Sequence, residues 1–186
     1  MIKEIPKSLE IILSGGIILY PTDTVYGIGC DARNEAAIER IALLKKRPSQ
    51  KSYIILVSSA EEIKPLLKNF NKEWLTQIPS DKPTTIIYPD AKNLPSSVIA
   101  EDGSIAIRIV NHPFCTALIQ KLKAPLLSTS ANISGEPSPS TFTDIKAAIL
   151  NGVDYVVNLP AAQDRVGQPS RLIKIMADGK FEIIRD

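Results

Sequence analysis

Short apolar runs that end in polar, turn-forming residues recur along this sequence and alternate with segments of helical periodicity. The apolar runs, together with one alternating segment, predict strands at 17–20, 53–57, 84–88, 104–109, 126–128 and 154–158. Near the end of the sequence, residues 172–176 and 181–185 flank Asp178 and Gly179, a pair that favours a β-hairpin.

Apolar residues spaced three and four apart predict helices between these strands. The predicted helices lie at 8–13, from Asn34 to about residue 47, from Pro113 to about residue 121, and at about 143–150. Ser59 and Glu62 have the spacing of a capping box and predict another helix, whereas 69–83 is expected to be irregular with a short helix around Trp74. Strands that alternate with helices and then end in a hairpin predict an α/β (α+β) fold, a twisted mixed β-sheet with flanking helices.

Two polar loops each follow a predicted strand: PTDTVYG at 21–27 and STSANISG at 128–135. Because ligands of open α/β sheets bind beyond the carboxyl ends of strands, the two loops are expected to line one crevice. The first loop offers two threonine hydroxyls and the carboxylate of Asp23, and Gly27 and Gly29 would let the backbone approach a ligand; an ordinary turn is the alternative.

The second loop places five hydroxyls and one amide within the eleven residues 128–138. Such groups surround the oxygen atoms of ribose, phosphate or carboxylate without adding charge, although a serine-rich surface loop has the same composition.

Basic residues supply the charge that the two loops lack. Lys45, Lys46, Arg47 and Lys51 follow a predicted helix, where they form either a solvated basic helix end or a clamp for phosphates. Arg108 lies in a strand among isoleucines, and a buried cation needs an anionic partner. That partner is a protein carboxylate or a ligand anion, and we favour the ligand.

Length and composition narrow the classes of protein. The 186 residues suit one domain, 1–186, and the net charge of +2 is too small to indicate nucleic-acid binding by itself. No apolar run reaches the roughly 18–20 residues of a membrane span, and the first ten residues lack the apolar segment of a secretory signal. We therefore expect a cytoplasmic protein without a membrane partner.

The sequence contains few residues that could act as a catalytic nucleophile or bind a metal ion. The sequence holds Cys30, Cys115 and a single histidine, His112, which is too few for a disulfide framework or a spaced zinc site. The cysteines are expected to be buried and reduced, and His112, next to Pro113, suits a turn. Neither GxxxxGK[ST] nor GxGxxG occurs, so the two common nucleotide-binding folds are not indicated.

Three motifs together resemble a known family. YPTDTVYG at 20–27, then Lys45-x-Arg47-Pro48, then STSAN-x-SG at 128–135 are similar to the motifs of the YrdC-like family, whose best-known members are threonylcarbamoyl-AMP synthases. Longer members carry Asn where Lys51 stands, so the sequence resembles the short, single-domain bacterial type. The family's usual Trp-Pro-Gly-Pro is missing from 78–85.

The resemblance implies a nucleotidyltransferase reaction. L-threonine, bicarbonate and ATP, with Mg²⁺, give L-threonylcarbamoyladenylate and pyrophosphate, and a downstream tRNA-modifying transferase uses the adenylate for threonylcarbamoyladenosine in tRNA. The resemblance also implies weak binding of tRNA or double-stranded RNA. The alternatives are an RNA-binding module without catalysis and a nucleotide-binding paralogue of the same fold with different chemistry.

Site residues follow from the resemblance position by position, with no resident metal among them. Lys45 and Arg47 are the catalytic candidates. Those expected to bind threonine are Thr24, Arg108, Ser128 and Ser170. Those expected to bind the nucleotide are Arg47, Lys51, Ser104, Ser130, Asn132, Ser138 and Arg185.

Overall fold

Nine strands form one sheet in the computed structural model, which describes residues 3–47, 53–76, 81–159, 168–176 and 178–186. The strands are β1 Ile18–Tyr20, β2 Gly27–Asp31, β3 Ile54–Val57, β4 Thr84–Tyr88, β5 Ile105–Ile109, β6 Leu126–Ser130, β7 Tyr155–Val156, β8 Arg171–Ile175 and β9 Phe181–Arg185. Their order is β7-β1-β2-β6-β3-β5-β4-β8-β9. The pairs β1–β7, β3–β5 and β4–β8 are parallel and the other pairs are antiparallel, which confirms the predicted mixed sheet.

Helices flank this sheet in the described part of the chain. They are α1 Glu4–Leu13, α2 Glu35–Leu44, α3 Glu73–Thr76, α4 Pro113–Leu122 and α5 Ala147–Leu150, with 3-10 turns at Ala60–Glu62, Lys64–Leu66, Ser96–Val98 and Phe142–Asp144. Asn34 caps α2 as predicted, since its side chain accepts a hydrogen bond from the backbone N–H of Ala37.

The two faces of the sheet bury different clusters. Ile28, Ile55 and Leu127 point to the face covered by α2. Leu56 and Leu126, which alternate with them along the strands, point to the face covered by α1 and α4. Arg108 follows Ile107 in β5 and therefore points to this second face, the one on which the polar cleft opens.

Strand β2 was not predicted, because 21–29 was interpreted as one polar loop. Gly27 and Gly29 belong to β2 and lie opposite Ser130 and Ser128 of β6. A Cβ on Gly29 would lie 2.7 Å from the Tyr20 hydroxyl oxygen, so this glycine makes room for a neighbouring side chain rather than for a ligand. Because two of the five residues of β2 are glycines, its sequence lacks the alternation of apolar and polar side chains that predicts a strand.

Two predicted helices differ in the structure. Ser59 forms no side-chain cap; instead Ser58 donates from its backbone N–H and its hydroxyl to the Glu62 carboxylate, at 2.8 and 2.7 Å. The helix predicted at 143–150 divides into the 3-10 turn Phe142–Asp144 and α5, because Ile145 between them has an extended backbone. No helix of the described residues has the length and apolar character needed to cross a membrane.

Candidate functional site

A cleft of about 370 Å³ lies where the two polar loops meet. Strand β2 lies between β1 and β6 and is antiparallel to both, so β1 and β6 run in the same direction. Their carboxyl ends therefore lie at the same end of the sheet. The cleft lining includes ten of the twelve predicted site residues: Thr24, Lys45, Arg47, Arg108, Ser128, Ser130, Asn132, Ser138, Ser170 and Arg185. The expectation that both loops line one crevice is therefore confirmed.

The other two predicted residues are Lys51 and Ser104. Lys51 lies outside the described residues. Ser104 precedes β5 and does not line the cleft; its hydroxyl donates to Asp102 at 2.5 Å, and its backbone N–H donates to the same carboxylate oxygen at 3.0 Å. The hydroxyl of Ser104 is thus occupied within its own turn.

Arg108 is a buried cation of the cleft, with 4% of its surface exposed. Its Nη1 donates to the hydroxyl of Thr24 at 3.0 Å and lies 3.0 Å from Oδ1 of Asp23. The Asp23 contact is off the hydrogen-bonding direction, so it acts as an ion pair. A protein carboxylate therefore partners one nitrogen of this guanidinium, and the binding of a ligand anion by Arg108 stays a prediction.

A tyrosine that the sequence analysis did not select prepares Ser128. Tyr20 is fully buried at the end of β1, and its hydroxyl donates to Ser128 Oγ at 2.8 Å. Burial raises the pKa of Tyr20 well above its ordinary value, so this group stays a donor. Ser128 accepts from Tyr20 and can direct its own proton into the cleft. The sequence did hold a signal for this contact: Tyr20 ends a predicted apolar strand, and a buried phenol requires a polar partner.

Lys45 holds the second loop from inside. It is 1% exposed, and its ammonium group donates to the backbone carbonyls of Ser130 and Asn132, the latter at 2.5 Å. The carbonyl of Lys45 in turn accepts from the backbone N–H of Ser134 at 2.8 Å. The catalytic role that the family resemblance implies for Lys45 stays a prediction, and in the structure its ammonium group contacts two loop carbonyls.

Arg47 presents a guanidinium at the cleft wall. It lies over the ring of Tyr53, 4.3 Å from the centroid, and its Nη1 is 3.4 Å from the Thr129 hydroxyl. Burial lowers the pKa of Arg47, although a guanidinium stays charged in proteins. A planar cation fixed by an aromatic ring suits a phosphate fork. Tyr53 had been seen only as the start of a strand.

The remaining lining residues are oriented by hydrogen bonds. The Asn132 amide donates to the carbonyls of Ile133 and Glu136, at 3.0 and 2.6 Å. Its Oδ1 and the Ser134 hydroxyl are buried without a hydrogen-bond partner among the described residues. Unpaired buried polar atoms on a cleft wall are suited to contact a polar ligand.

The C-terminal hairpin closes another side of the cleft. Arg185 in β9 donates to the carbonyl of Ser170 from Nε at 3.2 Å and Nη2 at 2.7 Å. The hydroxyl of Ser170 shares a 2.7 Å hydrogen bond with that of Thr85. Both predicted residues therefore reach the cleft from a segment remote in sequence.

The chemistry open to this cleft is limited by its residues. The lining residues that the structure describes combine four cations, one carboxylate (Glu136) and several hydroxyls. Among the described residues, no group of three His, Cys, Asp or Glu side chains is placed to hold a metal ion. Cys30 and Cys115 are buried and unbridged, as predicted. The lining can bind anions and align reactants, and its described residues include no Ser-His or Cys-His pair.

The fold and the cleft define a mixed α/β protein with a hydroxyl-rich cleft that also carries cations, and comparisons identify the family. A family model named Sua5_yciO_yrdC, described as Telomere recombination, matches residues 10–186, so the chain belongs to this family. A relative in Pseudoalteromonas translucida, a threonylcarbamoyl-AMP synthase, is 34% identical over 186 residues, and the alignment covers 95% of this chain and 95% of the relative. Another of that name in Hydrogenovibrio crunogenus is 35% identical over 142 residues, covering 74% of this chain and 76% of its own.

Solved structures share the fold. P. abyssi Sua5 complexed with L-threonine is 28% identical, with a TM-score of 0.81, covering 91% of this chain and 50% of that one. This chain thus spans about half the length of that Sua5. E. coli YciO aligns over 100% of this chain and 90% of its own with a TM-score of 0.84, and its 24% identity shows the fold alone.

Proposed function

We propose that this cleft forms L-threonylcarbamoyladenylate, pyrophosphate and water from L-threonine, bicarbonate and ATP. The observation that carries the proposal is the buried Arg108 beside Thr24 and Ser128, because it forms an amino-acid carboxylate site next to a loop rich in hydroxyls. The name shared by the curated relatives, and the L-threonine bound to the P. abyssi Sua5 structure, support it.

The reaction needs alignment rather than a protein nucleophile. The threonine amine and bicarbonate first form a carbamate and water. A carboxylate oxygen of that carbamate attacks the α-phosphorus of ATP, and pyrophosphate leaves. This agrees with a cleft that lacks a Ser-His or Cys-His pair in the described residues. Positioning of two reactants and stabilisation of developing charge are the tasks that remain.

Each part of the cleft has a role in this proposal. Arg108 and Ser128 bind the threonine carboxylate and Thr24 orients Arg108, with Ser170 bordering the amino acid. Arg47 contacts the phosphates, because its fork geometry suits them. Lys45 acts as a positioning residue, since its ammonium fixes the loop carbonyls of Ser130 and Asn132.

The other nucleotide contacts are assigned to the hydroxyls, amide and late arginine of the lining: Ser130, Asn132, Ser138 and Arg185. Mg²⁺ would enter as part of the MgATP substrate, because Glu136 is the one carboxylate residue among the lining residues described and cannot form a metal site by itself. Nucleotide binding by Ser104 and by Lys51 stays a prediction.

The proposal extends to the cell. We place the chain, as a single domain, in the cytoplasm, where a tRNA-modifying transferase would consume the adenylate. The alternative of an RNA-binding module is less favoured by the geometry. Lys45 is buried against loop carbonyls and Arg47 lies over Tyr53, so neither is displayed on an outer basic surface.

The test uses purified protein with ATP, MgCl₂, bicarbonate and radiolabelled L-threonine. A threonine-dependent adenylate and pyrophosphate are expected, and their absence refutes the proposal. Arg108→Ala should raise the Kd for L-threonine at least about tenfold, as loss of a charge-assisted hydrogen bond predicts, while the Kd for ATP changes less than about threefold. Arg33→Ala, which removes an exposed arginine paired with Asp31, is the matched control.

A further inference from the structure

Asp23 lies behind the guanidinium of Arg108 and outside the lining of the cleft. Its carboxylate is nearly buried, with 11% of the side chain exposed. Oδ1 lies 3.0 Å from Arg108 Nη1, and Oδ2 accepts from the backbone N–H of Asn111 at 3.2 Å. One carboxylate therefore joins the loop after β1 to the end of β5, although β2, β6 and β3 lie between those strands in the sheet.

The contacts of Arg108 are concentrated at one end of its guanidinium. Nη1 contacts both Thr24 and Asp23. Nε is buried and has no hydrogen-bond partner within the part of the chain that the structure describes. Nη2 makes no hydrogen bond to the described residues and is not enclosed as Nε is, so it is the nitrogen of this guanidinium left to bind an anion in the cleft.

We infer that Asp23 is a positioning residue, which holds Arg108 by Nη1 so that Nη2 is presented to the carboxylate of an amino-acid substrate. The inference rests on the proposed function. Asp23 does not compete with the substrate, because it contacts Nη1 and leaves Nη2 without a hydrogen bond to the described residues. It also offsets the cost of keeping this cation in a strand that is otherwise apolar.

Two features of the surroundings support this role. Thr24, the next residue, binds the same Nη1, so the loop restrains the guanidinium through two adjacent side chains. The sulfhydryl of Cys115 lies 3.6 Å from the carbonyl of Pro21 and holds the start of the loop against α4. The loop is thus fixed at both ends of the Asp23 contact, and its carboxylate has little freedom to move away.

The test compares Asp23→Asn with Asp31→Asn. The second variant removes a carboxylate that also pairs with an arginine, Arg33 at 2.7 Å, and does not line the cleft. Asparagine keeps the shape of aspartate and can still accept from Asn111, so Asp23→Asn removes the charge with little change in packing. Calorimetric titration of each protein with L-threonine and, separately, with MgATP gives the two Kd values.

Asp23→Asn should raise the Kd for L-threonine about tenfold, as expected for loss of an ionised partner, and leave that for MgATP within about twofold. Asp31→Asn should change neither value. In an Arg108→Lys background, which has no fork to orient, Asp23→Asn should add less than about twofold.

Three results would overturn the inference: an Asp23→Asn protein that binds L-threonine like Asp31→Asn, equal loss of both ligands, or effects that multiply in the double variant. Wild-type protein that binds no L-threonine and makes no adenylate would instead refute the proposed function, and this inference with it. Wild-type protein that is active while Asp23→Asn is unchanged would refute the inference alone.

Discussion

Replacing Lys45 by methionine tests whether a buried ammonium builds the nucleotide loop. The side chain is 1% exposed and donates to two backbone carbonyls, those of Ser130 and Asn132. Methionine has a similar length and no donor, so Lys45→Met removes both charged hydrogen bonds, although the Ser130 carbonyl still accepts from the backbone N–H of Asn132 at 2.9 Å. Hydrogen bonds from charged groups contribute about 1.5–3 kcal/mol each, and the desolvation of a buried ammonium offsets part of the two. We expect the free energy of unfolding to fall by about 3 kcal/mol.

Urea unfolding, followed by the fluorescence of the single tryptophan, Trp74, measures this change. Lys46→Met is the matched control, because Lys46 is the next residue and is exposed, so its removal should change stability by less than about 0.5 kcal/mol. The Kd of Lys45→Met for MgATP should rise about tenfold or more as the loop relaxes. The reasoning is refuted if Lys45→Met and Lys46→Met differ by less than about 1 kcal/mol.

Three further predictions concern packing, a buried hydrogen bond and acid stability. Gly29→Ala should lower the free energy of unfolding by about 2 kcal/mol, because its Cβ would lie 2.7 Å from the Tyr20 hydroxyl; an unchanged melting temperature by circular dichroism would contradict this. Tyr20→Phe should cost about 1 kcal/mol and raise KM for threonine, since Ser128 loses its donor; a KM equal to wild type would argue against the contact. Lys174 is the main group that holds the pKa of Asp102 at about 2, below its unfolded value of about 4. The ionised Asp102 carboxylate therefore stabilises the fold above pH about 4, and this stabilisation is lost as the pH falls toward 2. Asp102→Asn should make stability depend less on pH across that interval, and an acid-unfolding curve identical to that of wild type would refute the prediction.

Much of the site was accessible from sequence because its residues occur in contiguous motifs. Thr24 and Ser128 lie in motifs rich in hydroxyl side chains, and Arg108 interrupts a run of isoleucines. Local composition carries that information directly. The partners of these residues were not accessible in the same way. Asp23 and Arg108 are 85 positions apart, and no periodicity relates them.

The elements that were wrong share a physical cause. Strand β2 has glycines where an alternating strand would have side chains, because Tyr20 of the neighbouring strand fills that space. The segment 143–150 has helical residues throughout, yet the backbone at Ile145 is extended and buries this side chain in the core. In both places a tertiary contact outweighs a local preference.

The sequence by itself determined the mixed α/β fold class, the two polar loops and the chemical types that line the cleft, because apolar periodicity and motif composition are local properties. The tertiary structure alone decided what those side chains do. It placed Lys45 against loop carbonyls, Arg108 beside a protein carboxylate, and Ser128 next to a buried phenol that donates to it. These pairings depend on which strands are neighbours in the sheet, and strand order is a property of the whole chain.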